Sequence, residues 1–230
     1  MDNFLQQLYN NLIVDNRYQI ILNGLLITVL IAFFAAMIGA CIGTGIALVK
    51  VNVKESPKLK ILERIADAYL AIFKGTPVVV QLFIMCYIIL DIPSLSKIIV
   101  AIITFGLNSG SYIAEYIRAG IISVDIGQTE AGRSLGLSNK ATMLKIVLPQ
   151  ALKTILPAVA NEFVALIKET SVAGMIGVYD LTKAGDVIMS RTYDPIVPLV
   201  TVAIIYFIMV SGLVNLFGKF ERRLRQSDKR

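Results

Sequence analysis

Two carboxylates occur inside stretches of the chain that are otherwise apolar enough to enter a membrane. Glu115 ends one uncharged run, and Glu162 stands within another, directly after Asn161. A carboxylate in the interior of a bilayer is costly, so its side chain should face a cavity or a partner. There it can hold an ammonium group through a charge-assisted hydrogen bond. We therefore expect a binding site for a zwitterionic or cationic molecule, with Ser111, Tyr112, Glu115, Asn161 and Glu162 as candidate residues.

Both acids also have a purely structural interpretation. Glu115 could pair with Arg118 across one helical turn, and Glu162 could hold a neighbouring helix. Pro157 lies about one turn before Glu162. Proline-interrupted helices near the middle of the membrane are a recurring way to build transport sites. The charged segment Lys168–Ser171 is consistent with a gate, a contact with another protein or an ordinary helix end.

Several kinds of chemistry are excluded by what the sequence lacks. The chain of 230 residues contains no histidine, which removes histidine bases, Ser-His triads and histidine-ligated metals. The pattern G-x-x-x-x-G-K-[ST] is absent, so the chain is not an ATPase of that type. The net charge of +6 does not indicate nucleic-acid binding, because the basic residues flank apolar segments. We therefore predict no catalytic residue, metal or cofactor in this chain.

The elements that position these residues are predicted to be membrane helices. Hydrophobic residues make up 56% of the chain and mean hydropathy is +0.73, and the longest uncharged blocks exceed the roughly 20 residues that span a bilayer. We predict an all-α polytopic bundle that forms a single domain over residues 1–230. The predicted spans are Ile20–Val49, Gly75–Leu90, Ile98–Ala114, Thr154–Ile167 and Pro195–Gly218.

The orientation follows from the basic residues. They concentrate in the first connection, the third connection and the tail, whereas the leading segment holds only Arg17 and the second connection only Lys97. The positive-inside rule then places the N-terminus outside and the C-terminus in the cytoplasm. Five spans satisfy this arrangement. The first and third connections hold Lys50, Lys54, Lys58, Lys60, Arg64, Arg133, Lys140, Lys145 and Lys153, and the tail holds Lys219, Arg222, Arg223, Arg225, Lys229 and Arg230.

The third connection, about residues 128–150, reads as helix, turn, helix. A helix start is predicted at Thr129–Ala131, a tight bend at Gly136 and a cap at Ser138. Pro149 and Pro157 are predicted to kink or break the helix that follows.

Other local features complete the prediction. An amphipathic element is expected at Pro57–Ala68, either on the membrane surface or in contact with a partner protein. Thr76 with Pro77 should start the second span. The glycine pairs Gly39/Gly43 and Gly106/Gly110 indicate close helix packing within the subunit.

The third connection resembles a known motif. Its residues Glu130-Ala131-Gly132, Gly136, Ile146 and Leu148-Pro149 have the spacing of the EAA motif, with Gly132 where the general pattern has alanine. That motif marks permease subunits of binding-protein-dependent ABC importers. "FKGTPVVVQLF", "SYIAEYIRAGI" and "LPAVANEFVALIKETS" are similar to the polar amino acid uptake subfamily, which includes permeases for histidine, arginine, glutamine and cystine.

The resemblance implies an assembly and a role for the motif. The expected partners are two ATP-binding subunits that carry ATP and magnesium, a second permease subunit that forms a homodimer, an extracytoplasmic solute-binding protein, lipid and a polar amino acid. The chain would lie in the bacterial cytoplasmic membrane. Its elbow would form a coupling helix on the ATPase, with Glu130, Ala131, Gly132, Ser134, Leu135, Gly136 and Leu137 as coupling residues.

Other classes of protein remain as alternatives. An ion-coupled secondary amino acid transporter or a channel would need no ATPase, but it should show an ion-coupling site or an internal repeat. A membrane-embedded enzyme would have to rely on carboxylates. The two intramembrane acids favour a basic amino acid as substrate.

Overall fold

A computed structural model describes residues 6–52 and 59–226, and these residues form helices and turns without a strand. The predicted start of the amphipathic element at Pro57 lies outside the described residues, as do Lys54, Lys58, Lys229 and Arg230. The helices used below are α1 (Tyr18–Asn52), α2 (Lys60–Gly75), α3 (Val78–Ile84), α4 (Lys97–Ile122), α5 (Ile126–Ser134), α6 (Asn139–Thr142), α7 (Leu148–Glu169), α8 (Leu181–Thr192) and α9 (Ile196–Gln226).

Four helical segments are long and apolar enough to cross a membrane by themselves. They are Tyr18–Val51, Lys97–Ile122, Asn139–Ile176 and Ile196–Arg223. Each contains one of the predicted spans, so the first, third, fourth and fifth spans and the all-α polytopic class are confirmed. Each helix is longer than its apolar block, since polar residues continue it at one or both ends.

Of the predicted kink or break at Pro157, the break does not occur, because Pro157 lies inside α7. A proline removes one backbone hydrogen bond, but α7 packs along α4 and this packing holds the remaining turns in line. The irregularity lies earlier instead. A π-helical turn, Met143–Val147, precedes Leu148 and Pro149 at the start of α7.

The second predicted span, Gly75–Leu90, corresponds to the second helix of a bent pair. The membrane helix proper, Val78–Ile89, meets α2 at an angle of 110°. Val78–Ile89 is about 18 Å long, less than the roughly 30 Å of the bilayer core. The bent pair counts as a fifth membrane segment only if the two helices together form one span. Pro77 has extended backbone (ψ 136°) at the junction and lies one residue before the helix. Thr76 does not cap α3, because its hydroxyl donates to the carbonyl of Ile72 at 2.7 Å.

The junction between α2 and α3 is closed by a buried amide. Gln81 donates to the carbonyls of Phe73 at 2.9 Å and Thr76 at 3.0 Å. Its own side-chain oxygen accepts from Asn108 Nδ2 of α4 at 2.9 Å. Backbone carbonyls at a helix end need such partners when water is excluded. The bend is therefore held by polar contacts to α4.

The α1–α4 pair is the central contact of the bundle, and glycines bring the two helices together. A Cβ at Gly43 would lie 2.8 Å from Ile113 Cβ, and one at Gly106 would lie 2.8 Å from Ile38 Cβ. At Gly39 it would lie 3.1 Å from the backbone nitrogen of Gly110. These distances are shorter than ordinary contacts between heavy atoms, about 3.5–4.0 Å. The predicted close packing within the subunit is confirmed.

The start of α8 is tied to α1 at the end of the bundle remote from α5. Asp180 is fully buried, and its carboxylate accepts from the backbone N–H groups of Thr182 at 3.0 Å and Lys183 at 3.2 Å. The N–H of Leu181 donates to Thr28 Oγ1 of α1 at 3.0 Å. Burial raises the pKa of the Asp180 carboxyl, and its hydrogen bonds oppose that shift.

Candidate functional site

The polar side chains that matter most lie between α4 and α7, which form an antiparallel hairpin because α5 and α6 connect them. Glu162 of α7 is 7% exposed. The hydroxyl of Tyr116 on α4 donates to Glu162 Oε2 at 3.3 Å. Within the described residues, no cation forms an ion pair with Glu162. A buried carboxylate thus faces a phenol without a counter-charge.

Glu169 stands two helical turns further along α7 and was not among the candidate residues predicted from the sequence. Its Oε2 is buried and has no hydrogen-bond partner among the described residues. The charges of Glu162 and Glu169 both act on Tyr112 and Tyr116. The signal in the sequence was the seven-residue separation of the two acids, which places them on one face of a helix.

Glu115 lies apart from this hairpin face. It forms an ion pair with Arg118, as one of the two sequence interpretations has it. Together with Lys50 of α1 and Glu63 of α2 it lines a cavity of about 440 Å³ where α1 and α4 end. Glu115 and Glu162 therefore occupy different places, although they were predicted to share one site.

The remaining candidates have contrasting environments. Ser111 is fully buried, and its hydroxyl donates to the carbonyl of Asn108 within α4 at 2.7 Å. Tyr112 is partly buried, and Lys74 Nζ lies 5.9 Å from the centre of its ring. Asn161 is exposed on α7. The structure brings Tyr112 and Glu162 to one side of the hairpin, whereas the hydroxyl of Ser111 is used inside its own helix.

The connection between the two arms is a compact elbow, defined here as residues 125–150. α5 begins at Ile126, capped by Asp125, whose Oδ1 accepts from the N–H of Gly127 at 2.7 Å. The predicted start at Thr129 is therefore wrong, because the stronger cap lies upstream. Ser138 caps α6 as predicted, accepting from the N–H of Ala141 at 3.3 Å.

A sharp turn separates the two helices of the elbow. Gly136 has φ +79°, and the N–H of Leu137 donates to the carbonyl of Gly132 at 3.1 Å. This is a Schellman motif, which favours glycine at the left-handed position. Arg133 bridges the turn by donating to Asn139 Oδ1 from Nε at 2.9 Å. The predicted helix–turn–helix pattern is confirmed.

The residues of the EAA-like motif divide into buried and exposed sets. Gly132 is buried, and a Cβ there would lie 2.9 Å from Thr142 Cγ2, so glycine allows the two halves of the elbow to meet. Leu135 is 81% exposed. Glu130, Ala131, Ser134 and Gly136 are also exposed, and Leu137 is half-buried.

A polytopic helical bundle with a polar elbow and unpaired carboxylates between two of its helices has the architecture of a membrane transport subunit. Residues 57–226 match the family model described as binding-protein-dependent transport system inner membrane component. The match covers well over half of the chain. The chain therefore belongs to this family, and it is a permease subunit of an ABC importer.

Individual relatives and a solved structure agree with the family. The chain is 39% identical over 207 residues to a Rickettsia bellii permease protein named GlnP for a glutamine transport system, covering 89% of this chain and 92% of the relative. It is 35% identical over 213 residues to the arginine transport system permease protein ArtQ of Bacillus subtilis, covering 90% and 94%. A crystal structure of an amino acid ABC transporter with histidines superposes with a TM-score of 0.83 at 36% identity, covering 92% and 97%.

Membership of the family decides between the alternatives. A permease subunit is not itself the ATPase, and its family implies an ATP-binding partner and a binding protein. The secondary transporter, the channel and the membrane enzyme are thereby set aside. Among the described residues, no group of three or more His, Cys, Asp or Glu side chains is placed to hold a metal.

Proposed function

We propose that this chain carries polar amino acids through the bacterial cytoplasmic membrane as one of two permease subunits, and that two partner subunits hydrolyse ATP with magnesium. One observation carries the choice of substrate. Glu162 is a buried carboxylate between α4 and α7, and it forms no ion pair within the described residues. Relatives named for glutamine and arginine transport support the same class.

The substrate's α-ammonium group is the cation that Glu162 lacks. An ammonium–carboxylate hydrogen bond in a site that excludes water offsets the cost of burying the carboxylate. Tyr112 and Asn161 contribute a phenol and an amide at the rim of this site. Ser111 and Glu115 act indirectly: Ser111 through the backbone of α4, and Glu115 through its ion pair with Arg118.

A second copy of the chain completes the pathway. Asn161 is exposed on α7, where Ala158 and Ala165 stand one turn away on either side, and an amide has no hydrogen-bond partner in lipid. A homodimer in which the α7 helices approach each other would shield Asn161 from lipid and enclose the substrate. The solute-binding protein then delivers the amino acid from outside.

The elbow is the contact with the ATPase, and it lies in the cytoplasm, with the N-terminus of the chain outside. The basic residues of the connections support this orientation. Leu135, 81% exposed at the tip, offers an apolar anchor, and the exposed Glu130 offers a charge. Coupling requires contacts that differ between the two states of the ATPase.

The substrate site is tested with Glu162→Gln in the complete transporter, reconstituted with its ATPase and binding protein. We expect amino acid uptake to fall at least about tenfold, as for loss of a hydrogen bond to a charged group, while expression stays normal. Glu63→Gln on α2 is the control. Uptake by Glu162→Gln at the level of this control would contradict the site.

The orientation is tested by cysteine labelling. Cys41 is exposed and Cys86 is buried, so both are replaced before Ser138→Cys is introduced. A membrane-impermeant maleimide should label Ser138→Cys in inverted vesicles and not in intact cells. Labelling from the outside alone would refute a cytoplasmic elbow.

A further inference from the structure

We infer that Glu169 is a second determinant of substrate choice, and that Glu162 and Glu169 together select amino acids with a cationic side chain. This inference rests on the function proposed above and extends it to one more residue. Glu162 holds the group that every amino acid shares, the α-ammonium. Glu169 holds the second positive charge, at the end of the side chain.

The two carboxylates line one face of α7. They are seven residues apart, so their directions differ by only about 20° and their backbone positions by about 10 Å. Across from them α4 presents Tyr116 and Tyr112, one turn apart. Tyr116 hydrogen-bonds Glu162, and of the two acids Glu169 has the larger effect on Tyr112. The hairpin thus has a carboxylate and a phenol at each of two heights along the helix axes, which we call its two levels: Glu162 with Tyr116, and Glu169 with Tyr112.

Within the described residues, neither carboxylate of this face forms an ion pair. Glu169 Oε2 is buried without a hydrogen-bond partner there, and the cation that acts on Glu169 is its neighbour in sequence, Lys168. Lys168 is itself exposed. The charged group that acts on Glu162 is Glu169, of the same sign. Lys74 lies over the ring of Tyr112 and pairs with neither acid. A ligand with two cationic groups offers each carboxylate a partner.

The spacing fits such a ligand. A hydrogen bond of about 2.8 Å at each carboxylate leaves roughly 5 Å between the two cationic groups along the helix. An α-nitrogen and a side-chain nitrogen separated by five bonds of about 1.5 Å lie about 6 Å apart when extended. Basic amino acids therefore span the two levels. An amino acid with a neutral side chain, such as glutamine, reaches Glu169 without a positive charge, and its hydrogen bond there is weaker.

The test compares ligands on the complete permease–ATPase complex in lipid nanodiscs, without the binding protein, so that the permease alone sets the preference. Radiolabelled arginine and glutamine are the two probes. For Glu169→Gln we expect arginine binding to weaken about 10- to 100-fold and glutamine binding to change less than about threefold. For Glu162→Gln we expect both ligands to weaken. Asp186→Asn, an acid on α8 that pairs with Lys183 at 2.5 Å, controls for the loss of surface charge and should leave both ligands unchanged.

Each outcome has a defined meaning. Equal weakening of arginine and glutamine in Glu169→Gln, or no change in either, overturns the role of Glu169. Loss in Glu169→Gln with no loss in Glu162→Gln overturns the proposed substrate site instead. A wild-type complex that binds neither ligand and imports neither refutes the proposed function. Should Glu169→Gln fail to assemble, Glu169→Asp keeps the charge and must still prefer arginine to glutamine. A lost preference in Glu169→Asp overturns the inference.

Discussion

The contact between α1 and α4 at Gly43 makes a quantitative prediction about stability. In Gly43→Ala the new Cβ would lie 2.8 Å from Ile113 Cβ and Cγ2 and 2.9 Å from the backbone nitrogen of Ala114. Backbone atoms cannot turn aside, so the two helices must separate by a large part of an ångström. Overpacking of this kind costs about 1–3 kcal/mol, and the better helix propensity of alanine offsets about 0.5–1 kcal/mol. The difference is a net loss of up to about 2.5 kcal/mol, centred on about 1 kcal/mol.

A loss of this size is measurable as a shift in Tm. For a chain of this size, about 1 kcal/mol lowers Tm by roughly 2–4 °C, so Gly43→Ala should melt about 2–4 °C below the wild type. The assay heats detergent-solubilised protein and measures the monodisperse fraction by fluorescence-detected size-exclusion chromatography. Gly43→Ala should lower Tm by less in an Ile113→Ala background than in the wild type, because Ile113→Ala removes the Cγ2 atom that the new Cβ meets.

Gly45→Ala is the matched control on the same helix. A Cβ at Gly45 meets nothing within 4 Å, so its Tm should equal or exceed that of the wild type. Equal shifts for Gly43→Ala and Gly45→Ala would refute the argument that close packing, and not the backbone freedom of glycine, is what Gly43 provides.

Two further predictions concern buried polar groups. Because the folded pKa of Asp180 is raised by burial, its contribution to stability is fully present below the usual carboxyl pKa of about 3.9 and is lost as pH rises through the folded value. Asn at position 180 can still cap α8 but does not titrate. The Tm of Asp180→Asn minus that of the wild type should therefore increase as pH rises from about 4 to 7; a constant difference would contradict this. Gln81→Leu leaves carbonyls at the α2–α3 junction unsatisfied and should destabilise the protein by about 2 kcal/mol, measured as a fall in Tm. Val80→Leu on the exposed neighbour is its control, and an equal Tm for both variants would show that the junction does not depend on the amide.

The membrane helices could be predicted from the sequence because their signal is local. In Ile20–Val49 and Pro195–Gly218, more than twenty uncharged residues in a row leave few alternatives to a spanning helix. The cap at Ser138 and the turn at Gly136 are equally local, since each depends on one side chain and its nearest N–H groups. Such features come from a few consecutive residues, and the structure retains them.

The features that could not be predicted depend on residues distant in sequence. The bend after α2 is held by Gln81 and Asn108, which lie 27 positions apart. Pro157 remained inside a helix because α7 packs on α4, whereas the local rule predicted a break. Glu115 turned towards Arg118 and the end of α1. Glu169 looked like an ordinary helix end until α4 placed two phenols beside the same face of α7.

In the α4–α7 hairpin, a small rotation at the elbow produces a larger displacement at Glu162. Tyr116 and Glu162 lie on two helices that pack against each other and whose chain connection is residues 125–150. The helix from Leu148 to Glu162 is about 20 Å long. A tilt of about 5° at its base displaces the far end by roughly 2 Å, because displacement grows with arm length. The bond between Tyr116 and Glu162 is 3.3 Å long and would not survive such a displacement. Under the function proposed above, a small movement of the elbow is therefore sufficient to open the site at Glu162 and release the bound ammonium group.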